Sequence, residues 1–324
     1  MFNSSSIKKP VMAVICGIMA LMISAQGALA LGPFSHLLLA RKAGPELLAA
    51  VGLEPDTYPE LEPVMFAGAL APDAGYYAEG LSPLADLAHL NQPWEFVQAL
   101  FELARTPQEK AFALGWLSHA LLDVRGHGEL VNPAVNGVYN DTVMAHKQFE
   151  WGLDCVALSE EQNAWLWDVT IDVEAGLDLW NRALYRVYGS GAGNDLLLRA
   201  MESEAADVAL LPWVFWLGGR FELKGKGAGN SVGWVLGRTA RPAVVKFMEW
   251  RNMSLDARAV LTTKTPTEEQ IEHWEQIIDS CLPEMNELLA TRDWPDQTLD
   301  ADPACADSRC VAARKALIWL KGLD

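Results

Sequence analysis

Positive charge, cysteine and strand-like alternation are all scarce in this chain of 324 residues. Lysine and arginine number 25 against 42 aspartates and glutamates, so the formal net charge is −17 at pH 7. Proteins that rely on broad phosphate neutralisation show a basic patch or stripe, so we expect no stable nucleic-acid binding. An acidic surface still allows a site where a bound metal ion supplies positive charge locally.

The first thirty residues have the pattern of a leader peptide. Two lysines precede the apolar run Val11–Ala25, and Ala28-Leu29-Ala30 is a small-x-small cleavage site. The run is shorter than the ~20 residues that span a bilayer, and no later segment is long and uncharged enough to do so. We predict a signal peptide at 1–30, a mature N-terminus at Leu31 and a secreted or periplasmic protein of charge −19, with an uncleaved anchor as the alternative.

Four of the five cysteines follow the leader, and in an exported chain they allow up to two disulfides. The sequence does not choose among the three pairings of Cys155, Cys281, Cys305 and Cys310. The Cys305-x4-Cys310 pair has no accompanying histidine pair, which argues against a zinc finger.

Helical periodicity dominates the remaining chain, and 51% hydrophobic residues are enough for a sizeable core. Turn-forming residues interrupt the pattern at 55–63, 126–140 and 189–194. Helical patterns cover Leu37–Val51, Pro93–Ala104, Gln108–Leu122, Thr142–Leu158 and Glu160–Tyr188, and a further helix is predicted to start with Thr265 as its cap. We therefore predict an all-α protein without internal repeats.

Five of the six histidines lie in the first half of the mature chain. His119, Asp123 and His127 are spaced i, i+4 and i+8, a drift of only ~40° per step on a helix, so all three can face one place. His146 and Glu150 repeat the i, i+4 spacing on the next predicted helix. A lone histidine on an apolar helical face is more often a hydrogen-bonded core residue. Here two helices carry such pairs, and burying Asp123 without compensation would cost several kcal/mol, so we predict metal binding.

Five short motifs then give a specific resemblance. They occur in the order Gly32-Pro33-Phe34-Ser35-His36, Gly68-Ala69-Leu70-Ala71-Pro72-Asp73, Asp86-Leu87-Ala88-His89, Gly115-x3-His119-x3-Asp123-x3-His127 and His146-Lys147-Gln148-Phe149-Glu150. This order resembles the zinc-dependent phospholipase C family, which shares a helical trinuclear zinc site with the single-strand-specific zinc nucleases. The resemblance covers roughly Leu31–Glu150. We predict a catalytic core at 31–158 and a helical extension at 159–324 that packs on it.

Carried over residue by residue, the resemblance implies up to three Zn²⁺ ions. The first ion would be held by Asp73, His89, His119 and Asp123, with Asp123 bridging to the second ion. The second ion would be completed by His36 and by the α-amino group and carbonyl of Leu31. The third ion would be held by His127, His146 and Glu150. Cleavage after Ala30 would then create a metal ligand.

Two departures from the family pattern affect this assignment. Leu31 stands where members usually have tryptophan. Three residues separate Asp123 from His127, where five are frequent, and Gly126 should weaken the helix there. We therefore expect His127 to lie just beyond the helix end.

The implied activity is hydrolysis of phosphodiester bonds by a metal-activated water, most simply in phospholipids. Asp73 would be both a ligand and the general base; the alternative is a plain turn residue after Pro72. Glu150 favours the lipases, whereas the short interval from Leu31 to His36 resembles the nucleases. A nuclease on the same scaffold and a non-catalytic structural zinc protein are the rival hypotheses.

Three remaining signals are weaker. The apolar segment Leu210–Leu217 offers transient membrane contact, although a core segment is the preferred interpretation. Gly229–Gly233 fits a nucleophile elbow but no strand precedes it, and the glycine-rich run Gly225–Gly229 lacks phosphate-loop spacing. We expect His273 on a solvated helix face.

Overall fold

The computed structural model describes residues 32–135, 143–217, 264–299 and 307–323, and within these ranges it contains helices and no strand. The predicted all-α fold is confirmed. The α-helices are α1 Pro33–Ala50, α2 Tyr58–Leu70, α3 Ala74–Tyr77, α4 Ser82–Leu90, α5 Pro93–Leu103, α6 Pro107–Gly126, α7 Asn132–Ala134, α8 Val143–Ser159, α9 Leu177–Tyr188, α10 Asn194–Leu217, α11 Glu268–Thr291 and α12 Asp307–Lys321. Short 3₁₀ helices cover Pro55–Thr57 and Glu161–Trp167, and a π-helical turn covers His127–Val131.

Helices α2 and α6 approach each other unusually closely, and glycine permits this at two positions. A Cβ on Gly68 would lie 2.0 Å from the carbonyl oxygen of Phe112, and one on Gly115 would lie 2.0 Å from that of Met65. Neither distance is compatible with a side chain, since non-bonded heavy atoms pack at about 3.5–4.0 Å. Both glycines belong to the sequence motifs, and their role is to bring the two helix backbones together.

One hydrophobic cluster holds the molecule together. It includes buried side chains of α1, α2, α6 and α8 and also of α9 to α12, such as Trp180, Phe215, Trp274 and Leu320. The helices on both sides of residue 158 therefore share this core, and the domain boundaries stay predictions. None of the described helices is long and apolar enough to cross a bilayer.

Three predicted helix limits are wrong. Helix α2 begins at Tyr58 within the supposed interruption and contains Pro63. The segment 160–188 is not one helix, because β-branched residues are frequent between 169 and 173 and Gly176 takes a left-handed conformation before α9. The cap of α11 is Thr267, whose hydroxyl accepts a hydrogen bond from Gln270 N–H, and Thr265 lies outside the helix.

Several predictions concern residues outside the described ranges. These are the leader with Leu31, the glycine motifs between 225 and 233, and Cys305. Cys155 and Cys281 are both buried, and Cys281 forms no disulfide. Within 210–217, Leu211 and Phe215 are buried and Trp213 is half exposed, so the core interpretation holds for the first two. His273 lies on the exposed face of α11, as predicted.

Candidate metal centre

Helix α6 carries the middle of the candidate site. A capping box fixes its start: the Thr106 hydroxyl accepts a hydrogen bond from Glu109 N–H, and the Glu109 carboxylate accepts one from Thr106 N–H, each at 3.1 Å. Helical spacing then places His119 and Asp123 on one buried face. Their side chains are fully buried, with 3.2 Å between His119 Nε2 and Asp123 Oδ2.

His89 and Asp73 meet this pair from the other side. His89 lies in the last turn of α4, and Asp73 directly precedes α3. The His89 Nε2 atom lies 3.2 Å from Asp123 Oδ2, 3.3 Å from Asp73 Oδ1 and 3.4 Å from His119 Nε2. The four side chains predicted for the first ion therefore converge.

Backbone carbonyls orient the two histidine rings. The His119 Nδ1 atom lies 2.8 Å from the carbonyl oxygen of Ala69, and His89 Nδ1 lies 2.8 Å from that of Ala85. With the proton on Nδ1 donated to these carbonyls, each ring turns the lone pair of Nε2 towards the site, as metal-ligating histidines do. The close packing of α2 on α6 is what brings Ala69 within reach of His119.

His36 of α1 adds a second group around the same aspartate. Its ring stacks on His119 with the centroids 3.8 Å apart, and its Nε2 atom lies 3.3 Å from Asp123 Oδ1. Asp123 thus faces His36 with one oxygen and His89 and His119 with the other. This is the arrangement that the bridging role requires. The remaining predicted ligand of this group, Leu31, lies outside the described residues.

The third group combines the turn that follows α6 with α8. The His127 Nδ1 and His146 Nε2 atoms are 3.0 Å apart, and Glu150 Oε1 lies 3.3 Å from His146 Nε2 and 3.8 Å from His127 Nε2. His127 lies directly after Gly126, the last residue of α6, as expected, and it begins a π-helical turn that continues the chain. Such turns are frequent at functional sites, and here it places His127 beside α8.

The residues present fit zinc. Two atoms bound to zinc at ~2.0–2.1 Å in tetrahedral geometry lie roughly 3.3 Å apart, and the distances around Asp123 Oδ2 are close to this. In the part of the chain that the structure describes, the buried atoms His36 Nε2, Asp73 Oδ1 and His127 Nε2 have no hydrogen-bond partner. An unsatisfied buried polar atom is costly unless something binds it. The groups His36/His119/Asp123, Asp73/His89/His119 and His127/His146/Glu150 could each hold a metal ion.

Neighbouring charges tune these groups. Burial alone would raise the pKa of Asp123, but the neighbouring His119 and His36 outweigh it and hold the pKa well below its usual range. Burial lowers the pKa of His89, but its contacts with Asp123 and Asp73 raise it well above normal. Burial and the charge of His36 lower the pKa of His119. Asp123 is therefore the ionised centre of the site, which is the form that binds a cation.

Two buried carboxyl groups beside the site were missed from the sequence. Asp154, one turn after Glu150, accepts hydrogen bonds at the start of α1, and its burial raises its pKa to about 7. Glu204 of α10 is fully buried, and neither of its oxygens has a hydrogen-bond partner among the described residues. Burial and the charge of Asp73 raise the pKa of Glu204 well above its usual value.

The sequence of this helical region matches a known family. The model of the family described as zinc dependent phospholipase C matches residues 34–194. This region belongs to the zinc-dependent phospholipase C family. The matched range begins in α1 and ends at the start of α10, so it includes all the predicted side-chain ligands.

Relatives add little beyond this membership. An uncharacterised protein of Archaeoglobus fulgidus is 27% identical over 161 residues, which are 46% of this chain and 51% of that protein. The chain therefore spans about half the length of the relative that it matches. No solved structure matches the chain.

Proposed function

We propose that this protein is a zinc-dependent phospholipase C that cleaves the phosphodiester bond between diacylglycerol and the phosphorylated head group. The observation that carries the proposal is the position of Asp123, which faces His36 with one oxygen and His89 and His119 with the other. A third ligand group, formed by His127, His146 and Glu150, lies beside it. Several ions held side by side suit phosphoryl transfer, which develops charge on more than one oxygen.

The chain's own residues would divide the work as follows. The ions would be held by eight side chains, those of His36, Asp73, His89, His119, Asp123, His127, His146 and Glu150. When bound, zinc supplies an activated water at neutral pH and stabilises the charge on the phosphoryl group. Asp73 Oδ1 lies within the first ligand group, 3.3 Å from His89 Nε2, and there Asp73 would orient the attacking water and take its proton.

The charge of the chain supports phospholipid over nucleic acid as the substrate. A net charge of −17 repels a long polyanion, whereas a single phosphodiester at the surface of a bilayer needs no basic groove. Transient membrane contact is part of the proposal, with the half-exposed Trp213 near the end of α10 as the contact residue. We also propose export to the periplasm or the medium, because residues 1–30 have the pattern of a leader peptide.

The test uses the secreted protein, incubated with vesicles of mixed phospholipids and in parallel with single-stranded DNA. Products are identified by mass spectrometry, with and without a zinc chelator. We expect diacylglycerol and phosphorylated head groups that disappear on chelation, and no products from an Asp123→Asn variant. Cleavage of DNA with intact lipid would replace the proposal by the nuclease alternative. Intact lipid and DNA with zinc still bound would favour the structural role.

A further inference from the structure

We propose that Asp154 is a positioning residue that ties the start of α1 to α8 and thereby holds His36 against Asp123 in the metal centre. This inference rests on the proposed zinc-dependent function. Asp154 is not one of the predicted ligands. It acts through the backbone of α1, whose first turn leads directly into His36.

The carboxyl group of Asp154 accepts hydrogen bonds from the first turn of α1. Its Oδ1 atom accepts hydrogen bonds from Ser35 N–H at 3.1 Å and from the Ser35 hydroxyl at 3.0 Å, and Oδ2 accepts one from Phe34 N–H at 3.3 Å. The first N–H groups of a helix have no partner within it, and a carboxylate there also interacts favourably with the helix dipole. Helix α1 has no acidic residue of its own in that turn and no side-chain cap. A residue 119 positions away from Ser35 therefore supplies the cap.

Gly32 shows how tightly the two segments fit. Its φ of −61° and ψ of 150° are open to any residue, so its backbone does not require glycine. A Cβ at this position, however, would lie 2.1 Å from Asp154 Oδ2 and 2.4 Å from Asp154 Cγ. Glycine is needed at position 32 because the Asp154 carboxyl group occupies the space of a side chain.

The same contact joins two parts of the metal centre. His36 directly follows Ser35, stacks on His119 and faces Asp123. Asp154 lies one turn after Glu150, on the same buried face of α8. The carboxyl group therefore fixes the distance between the helix that carries His36 and the helix that carries the third ligand group. Partners of this kind behind metal ligands typically account for 10–100-fold in metal affinity.

A double-mutant cycle isolates the contact. The variants are Gly32→Ala, Asp154→Ala and the double variant, and the readout is zinc affinity by chelator competition together with the absorption spectrum of the cobalt-substituted protein. We expect each single variant to bind its weakest ion 10–100-fold less tightly. We expect Gly32→Ala to have little further effect when Asp154 is already alanine, because the space is then open.

Two more variants separate positioning from general destabilisation. Asp154→Asn keeps one acceptor oxygen, so it should recover part of the affinity that Asp154→Ala loses. Thr267→Ala removes the cap of α11, which carries none of the predicted ligands, and should lower the urea concentration at the midpoint of unfolding with unchanged zinc affinity. Equal effects of Gly32→Ala in both backgrounds, or wild-type affinity in Asp154→Ala, would overturn the proposal.

The experiment also distinguishes this proposal from the proposed function. A wild-type protein that binds no zinc would refute the zinc-dependent function, and with it this inference. A wild-type protein that binds zinc, with variants that bind it equally well, would leave the function intact and remove Asp154 from it.

Discussion

Replacing Gly115 by alanine should loosen the metal centre without touching any ligand. The new Cβ would start 2.0 Å from the Met65 carbonyl oxygen, whereas ordinary contact begins near 3.4 Å, so α2 and α6 must separate by about 1.4 Å. Such a shift stretches the 2.8 Å contact between His119 Nδ1 and the Ala69 carbonyl beyond hydrogen-bond range. We expect a loss of about 1–3 kcal/mol in stability from overpacking and 10–100-fold weaker zinc binding.

The assay pairs urea unfolding of the zinc-free protein with a zinc titration. Gly52→Ala is the matched control, because Gly52 has a φ of +75° and an added Cβ would meet nothing within 4 Å. This control should lose about 1–2 kcal/mol through backbone strain alone and keep its zinc affinity. If Gly115→Ala binds zinc as tightly as Gly52→Ala does, the orienting role of the Ala69 carbonyl is refuted.

Three other predictions concern single side chains. Asp123→Asn should lose the zinc held in both adjacent groups and with it all turnover; metal analysis showing unchanged zinc content would contradict the bridging role. The raised pKa of Glu204 means that the folded protein keeps a proton that the unfolded chain releases near its ordinary pKa, so stability falls as the pH rises above that value. Glu204→Gln should therefore make the zinc-free protein more stable at pH 8 and change little at pH 4, as measured by urea unfolding; an equal gain at both values would show that burial of the charge is not the cause. Trp213→Ala should weaken binding to vesicles in a sedimentation assay and leave hydrolysis of a soluble short-chain diester unchanged; unaltered vesicle binding would exclude Trp213 as the contact residue.

Helical periodicity predicted the part of the site that lies on single helices. The i, i+4 spacing of His119 with Asp123 and of His146 with Glu150 fixes which side chains share a face, and the structure places both pairs within 3.3 Å. Periodicity does not reveal which helices meet. The convergence of His36 and His89 on Asp123 was implied only by the resemblance of the ordered motifs.

The two missed carboxyl groups show what the motifs conceal. Asp154 continues the spacing of His146 and Glu150 by one more turn, so the pattern itself contained the signal. Glu204 lies on the apolar stripe of α10 with Leu197, Met201, Val208 and Leu211. A lone glutamate on such a stripe indicates a buried carboxyl group. Its position beside Asp73 depends on tertiary packing, which the pattern does not reveal.

Local sequence was least informative where the backbone departs from a regular α-helix. Gly126 suggested a helix end and is indeed the last residue of α6, but the sequence did not reveal the π-helical turn that follows and keeps His127 on the site. Two threonines flank Pro266, and only the second makes the capping contacts of α11. Both outcomes depend on which backbone groups find partners in the folded molecule.

The most direct test of the zinc centre is anomalous diffraction at the zinc absorption edge from crystals of the zinc-loaded protein. We predict strong peaks within bonding distance of His36, His119 and Asp123, of Asp73 and His89, and of His127, His146 and Glu150. Zinc-loaded crystals without a peak at any of these groups would refute the zinc centre.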